Sequence, residues 1–355
     1  MLRLSIILFF LNFLQNIYAQ ENIFQSDEVI NLQIKASFKK IFKDRKNRNY
    51  YPAQFIYKDK EREWQDNVEV RVRGDGRATY CEFPPLKIKT SNLSNLSLLK
   101  ENEDYKLVTH CGYDSEEKIT KGSNDLLMEY IAYKIFNIYT PFSFNVRLFN
   151  TTYFDTKIKK EIGHSYSIVL ERPSSIGSRN KLEYSSEEAQ DWGKLALENI
   201  NNQSEEYHLL ITLIQYLLGS ADWKIASDGS PNNLKLFFNK NDKKVMAIPY
   251  DLDGLRWEHA GKDWYKLRAG RVYENCSFNV NQKMLQETAQ AIYSKKDEVI
   301  SLYQKYRDEE GLNLKDWDSL TNAMINNFEE MNNFSSSKSK IQKILYYPNH
   351  CFFYP

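Results

Sequence analysis

The chain has 355 residues, 42% of them hydrophobic and 14% aromatic, with a formal net charge of +1. That supplies ample core material and excludes a disordered chain. Lysines and asparagines are scattered rather than clustered, so charge gives no argument for binding nucleic acid or an anionic membrane.

Residues 1–19, MLRLSIILFFLNFLQNIYA, begin with the basic Arg3, run apolar from Leu4 to Leu14 and end on the small Ala19. This is the pattern of a secretory signal peptide cut after Ala19. The run is short for a bilayer span and carries Asn12 and Gln15 near its end. The mature protein is therefore expected to be exported and soluble, with no stable membrane span. Four cysteines, Cys81, Cys111, Cys276 and Cys351, suit an oxidising compartment. Cys81–Cys111 and Cys276–Cys351 are the expected pairs, because each falls within one proposed lobe. With no CxxC pair and five histidines, a zinc site is not expected.

Val29 to Phe42 alternates as a strand. Asn67 to Arg73 does so more sharply, with Val68, Val70 and Val72 on one side and Glu69, Arg71 and Arg73 on the other. It leads into the turn Gly74-Asp75-Gly76, flanked by Arg73 and Arg77. Such a turn brings backbone N–H groups and guanidinium donors to a phosphate, although a plain hairpin has the same look. In CEFPPLKIKT, Lys87 and Lys89 alternate with Leu86 and Ile88, and either lysine is a candidate phosphate contact or a solvated side chain.

Tyr105 to Cys111 reads as a strand, and Asn124 to Tyr139 as a helix capped by Ser123. Leu127, Ile131, Ile135 and Ile138 form its apolar stripe, and Glu129 lies off it. Phe142 to Leu148 and Ser165 to Glu171 are further strands. Then the character changes. Helices are expected over Glu187 to Ile200, Glu205 to Leu218, Leu285 to Tyr306 and Leu314 to Met331.

Between them, Tyr216 to Gly254 carries the most chemistry. Asp222, Asp228, Asn232 and Asn233 precede the strands LKLFF and VMAIP, and Asp251 and Asp253 follow directly. Turns account for many Asp and Asn residues. Phosphoryl transfer needs the same set: a carboxylate to position the nucleophile, and an amide oxygen with a second carboxylate to hold a cation on the phosphates.

The order of segments points to an α+β, bilobal, kinase-like plan. A strand-rich N-lobe over 20–172 contains one helix, and a mainly helical C-lobe over 173–355 carries a metal-binding hairpin. A glycine turn (Gly74, Gly76), a strand lysine (Lys87), a helix glutamate (Glu129), Glu171 near a hinge, Asp222, Asn233 and Asp251 occur in the order a kinase uses them.

The segments RVRGDGRATYCEFPPLKIKT, YKLVTHC, LLMEYIAYKIFNIYTPFSFNVRL, GSADW, NNLKLFF and IPYDLDG resemble the spore-coat CotH kinase family, secreted atypical kinases, over roughly residues 68 to 254. The resemblance implies a kinase-like fold, ATP with Mg²⁺ or Mn²⁺, and transfer to a hydroxyl of a secreted or surface protein. It sets Asp222 where the catalytic aspartate is found and Asn233 and Asp251 where metal ligands are found, with Asp253 beside them. Lys87 matches a phosphate-contacting lysine, and Arg73, Arg77, Glu129 and Glu171 complete the expected nucleotide side. Asp228 stands at the ordinary kinase spacing from Asn233 and rivals Asp222 as base. The chain departs from ordinary kinases in having no HRD or DFG, since Leu252 and Asp253 follow Asp251. Two other readings stand beside this one. One is a catalytically inactive, pseudokinase-like binding module. The other, a carbohydrate-active enzyme using Asp251 and Asp253, is weaker, because residues two apart on a strand sit too close for an inverting pair.

Overall fold

Alternation along the early strands explains their architecture. In β3 (Glu63–Val72), Val68, Val70 and Val72 are buried while the residues between them face outward. The same period runs through β1 (Ile30–Ala36), β2 (Tyr51–Lys58), β4 (Leu86–Thr90) and β5 (Asp104–Val108). With β6 (Val146–Asp155) and β7 (Lys160–Leu170) they close into a mixed barrel ordered β1-β2-β3-β4-β5-β7-β6. Only the β1–β6 seam is parallel; the other barrel pairs are antiparallel. Closure removes exposed sheet edges. These coordinates come from a computed structural model, which describes residues 23–58, 63–91, 93, 97–100, 103–112, 116–198, 205–218, 223–225, 228–253, 282–307 and 314–332.

The protein is α+β and divides into two compact units. The first takes residues up to Ser123 plus Val146–Leu170, and the second takes Asn124–Asn145 and everything from Glu171 onward. The later division, after Leu170, lies close to the expected 172, but residues 124–145, with most of α3 (Glu116–Tyr139), belong to the second unit rather than the first. That helix begins before Ser123, which lies inside it rather than capping it.

The first unit also holds two short helices absent from the sequence reading, α1 (Phe38–Lys43) and α2 (Gly76–Tyr80). The strand expected over 29–42 stops at Ala36, because Asp155 accepts the Lys39 amide at 2.7 Å and starts a helix there. Aromatic side chains fill the core: Phe83 packs on Phe38, Phe42 and Tyr153, with ring centroids 4.3–5.5 Å apart. The disulfide Cys81–Cys111 forms as expected, with Cα atoms 4.7 Å apart.

The second unit is helical around a small sheet. After α4 (Pro173–Asn180) and β8 (Glu183–Tyr184) come α5 (Ala189–Glu198) and α6 (Glu205–Leu218). The pair β9 (Lys224–Ile225) and β10 (Pro231–Asn232) leads into the hairpin β11 (Leu234–Asn239) and β12 (Lys244–Pro249), with β8 along β11. The helix expected over 285–306 is two, α7 (Gln282–Tyr293) and α8 (Lys296–Tyr306), followed by α9 (Leu314–Asn332). Among the described residues no helix is long and apolar enough to cross a membrane. Residues 1–19 and the proposed Cys276–Cys351 pair lie outside the described residues.

Candidate functional site

The hairpin β11–β12 is the stiff part of the site. Leu234 pairs with Pro249, and the Tyr250 amide donates to the Asn233 carbonyl at 2.9 Å, which extends the ladder by one residue. Leu234, Leu236, Val245, Ala247 and Ile248 are buried and anchor both strands. Asn233 and Asp251 therefore stand together at the open end. Both take the left-handed backbone, with φ 50 and φ 59. For a non-glycine residue this costs about 1–2 kcal/mol, less for Asn and Asp, and it persists where surroundings hold it.

One such hold is visible. The Asp251 amide donates to the Tyr133 hydroxyl at 3.0 Å. Tyr133 is buried on α3, four residues after Glu129, which is also buried at 2% exposure. Burial, reinforced by the charges of Glu129, Tyr250 and Asp251, holds the Tyr133 hydroxyl well above its ordinary pKa, so it stays protonated. Glu129 is thus no solvated surface glutamate. Tyr133 was missed in the sequence, although its i,i+4 spacing from Glu129 puts both on one helix face.

Asp253 is exposed in the turn after the buried Leu252. Asp222 lies outside the described residues. Its neighbour Trp223 is buried, its ring 5.3 Å from Phe136 of α3, and its carbonyl accepts from Gln215 at 3.3 Å. Asp228 is exposed and forms its own turn. Its carboxylate takes the Ser230 amide at 2.8 Å and the Ser230 hydroxyl at 3.0 Å, which lower its pKa from the usual carboxylate value. That engagement makes Asp228 a turn-former first.

Glu171 is buried and fully engaged. It accepts the Asn145 amide at 2.9 Å, Arg179 Nε at 3.0 Å and Arg179 Nη2 at 3.1 Å. Arg179 also donates to the Pro141 and Ser143 carbonyls. This clamp is another residue pair that the sequence reading missed.

In the first unit Lys87 and Lys89 share the outward face of β4, as alternation requires. Lys87 sits 2.6 Å from Asp104 and Lys89 3.5 Å from Glu69. The glycine turn is organised by Arg48, which holds the Gly74 carbonyl at 3.1 Å and Asp75 at 2.5 Å. The Arg73 amide donates to the Pro85 carbonyl, and Arg77 is the second residue of α2, where its carbonyl accepts the Cys81 amide. Gly74 has φ 82, a left-handed position that favours glycine.

An amide oxygen and carboxylates are hard oxygen donors, the set Mg²⁺ or Mn²⁺ takes while keeping several waters. Asn233, Asp251 and Asp253 fit that requirement in kind. Among the described residues no group of three or more His, Cys, Asp and Glu could hold a metal by themselves. A scan against protein-family models finds no match, and neither does a search of curated proteins.

Proposed function

We propose that the chain is an exported atypical kinase of the CotH kind, with a bilobal kinase-like plan, transferring the ATP γ-phosphate to a hydroxyl of a secreted or surface protein. The observation that carries this reading is the pair of oxygen-bearing residues, Asn233 and Asp251, held in left-handed backbone at the mouth of one hairpin. Strained non-glycine residues collect at functional sites, and a rigid ladder is a good mount for metal ligands. The disulfide Cys81–Cys111 agrees with an oxidising compartment, in keeping with cleavage of a leader after Ala19.

In this reading Asn233 and Asp251, with Asp253 at the rim, would hold Mg²⁺ or Mn²⁺, which would supply positive charge for the phosphates. Asp222 takes the proton of the acceptor hydroxyl, whose oxygen bonds to phosphorus as the bond to the ADP oxygen breaks. Glu129 and Glu171 act from behind, one beside Tyr133 and the other through Arg179. A second reading, a pseudokinase-like binding module, has one observation in its favour: the Asp104 carboxylate already neutralises Lys87.

Melting the native chain and Asp251→Ala with and without ATP and Mn²⁺ tests for the nucleotide site, and phosphate transfer from γ-labelled ATP separates a kinase from a binding module. A kinase gains stability from the nucleotide as mass action requires, about 2.7 kcal/mol at a hundredfold excess over Kd, and Asp251→Ala abolishes the gain. A native chain that neither binds nucleotide nor melts higher with Mg²⁺ or Mn²⁺ is no kinase.

A further inference from the structure

The Asp251 amide donates to the Tyr133 hydroxyl across 3.0 Å, in a residue held at φ 59. That bond fixes the plane of the Tyr250–Asp251 peptide, and with it the N–Cα axis from which Asp251 departs. On one side the antiparallel ladder has already ended, its last bond being that of the Tyr250 amide to Asn233. On the other side Leu252 is buried at 1% exposure. The hydroxyl is therefore a hold that the fold places on Asp251 itself.

Tyr133 is well suited to the task. It is 1% exposed, and its ring meets Phe144 at 6.2 Å in an edge-on arrangement. A phenol hydroxyl accepts the amide hydrogen and has a proton of its own to donate. Glu129 lies one turn earlier on the same helix, so a buried carboxylate and this hydroxyl come from one rigid face.

We propose that Tyr133 is the positioning residue of the cation site: its hydroxyl fixes the Asp251 amide, and with it the direction in which the Asp251 carboxylate leaves the hairpin. Affinity for a divalent cation then depends on α3, which reaches Asp251 through this bond. The inference rests on Asp251 being a metal ligand.

The test uses Tyr133→Phe in the full chain, with Tyr207→Phe beside it. Tyr207 is buried in the same unit, and its hydroxyl donates to the carbonyls of Phe142 at 3.1 Å and Ala247 at 3.4 Å. Its loss reports what a buried tyrosine hydroxyl is worth to the fold alone. Free Mn²⁺ is followed by electron paramagnetic resonance during titration with Mn²⁺ and ATP, and each variant is also melted without metal. Tyr133→Phe should weaken Mn²⁺ binding about tenfold, the worth of one buried hydrogen bond. Tyr207→Phe should keep native affinity although both variants melt lower. Native affinity in Tyr133→Phe, or an equal loss in both, overturns the proposal. A native chain that takes up no Mn²⁺ removes the metal reading itself, and the inference with it.

Discussion

Asn233 and Asp251 stand at the open end of one hairpin in the same left-handed backbone, φ 50 and φ 59. Left-handed residues are tolerated best as glycine and next best as Asn or Asp, because a Cβ crowds the following carbonyl. Two consequences of altering Asp251 can thus be separated. Asp251→Ala and Asp251→Gly should lose cation binding alike, since both remove the carboxylate. The glycine variant should be the more stable of the two by about 1 kcal/mol in urea unfolding, because alanine keeps the clash that glycine relieves. Equal stabilities would mean that the backbone at Asp251 relaxes freely.

A second prediction concerns the loop that delivers Asn233. Gly193 in α5 packs directly on Gly229: a Cβ on Gly193 would lie 1.9 Å from the Gly229 carbonyl oxygen. Gly229 has φ 88, and a Cβ there would meet the Gln190 carbonyl at 2.5 Å. Backbone meets backbone, so no flexible side chain can yield. Gly193→Ala should push α5 away from the Asp228–Ser230 turn and cost roughly 1–3 kcal/mol, the usual range for overpacking. Circular dichroism melting checks the cost, and an unchanged melting temperature would contradict the close approach.

The Glu171–Arg179 clamp gives a third. The carboxylate is 6% exposed and the guanidinium 29%, so the pair is screened far less than a surface bridge. Arg179→Ala leaves a buried carboxylate with the Asn145 amide, strips the donor from the Ser143 carbonyl and leaves the Pro141 carbonyl with Asn180 at 3.3 Å. A loss of about 2–3 kcal/mol is expected, discounted for the exposure of the arginine. Arg179→Lys should recover little, because an ammonium lacks the planar fork. A loss near that of a surface pair, below about 0.5 kcal/mol in denaturant titration, would show the clamp to be idle.

Local patterns carried much of this fold in the sequence. Helix α6 runs over Glu205–Leu218 as its apolar spacing requires, with Leu209, Leu213 and Leu217 buried. The valine alternation of β3 and the Cys81–Cys111 pairing were equally legible. What failed were features decided by distant partners. Helix α1 is started by Asp155, which lies 116 residues from Lys39, and a periodicity window cannot see it. Barrel closure rests on the parallel seam of β1 with β6, again more than a hundred residues apart. Glu129 lies off the apolar stripe and so reads as exposed, because helix spacing alone cannot say what covers that face. Tyr133 escaped notice for the same reason: nothing local distinguishes it from Tyr130, which packs edge-on against Tyr306.

The last prediction comes from a histidine outside the candidate site. His110 is 1% exposed, and among the described residues neither ring nitrogen has a hydrogen-bond partner. Its ring is wedged against Phe83 at 4.9 Å and Tyr153 at 5.7 Å, next to the bridged Cys111. Burial alone pushes its pKa down to about 4, from 6.5 in an open chain. Above pH 6.5 both folded and unfolded states hold it neutral, and its contribution to stability is fully present. Below pH 6.5 the unfolded chain takes up a proton that the folded core refuses, so stability falls progressively until about pH 4. Across that window the loss is on the order of 3 kcal/mol. His110→Phe keeps an aromatic ring in the cluster and removes the proton site. It should flatten the decline in unfolding free energy between pH 7 and pH 4.5 by roughly that amount. A variant with the native acid profile would place the acid sensitivity elsewhere in the chain.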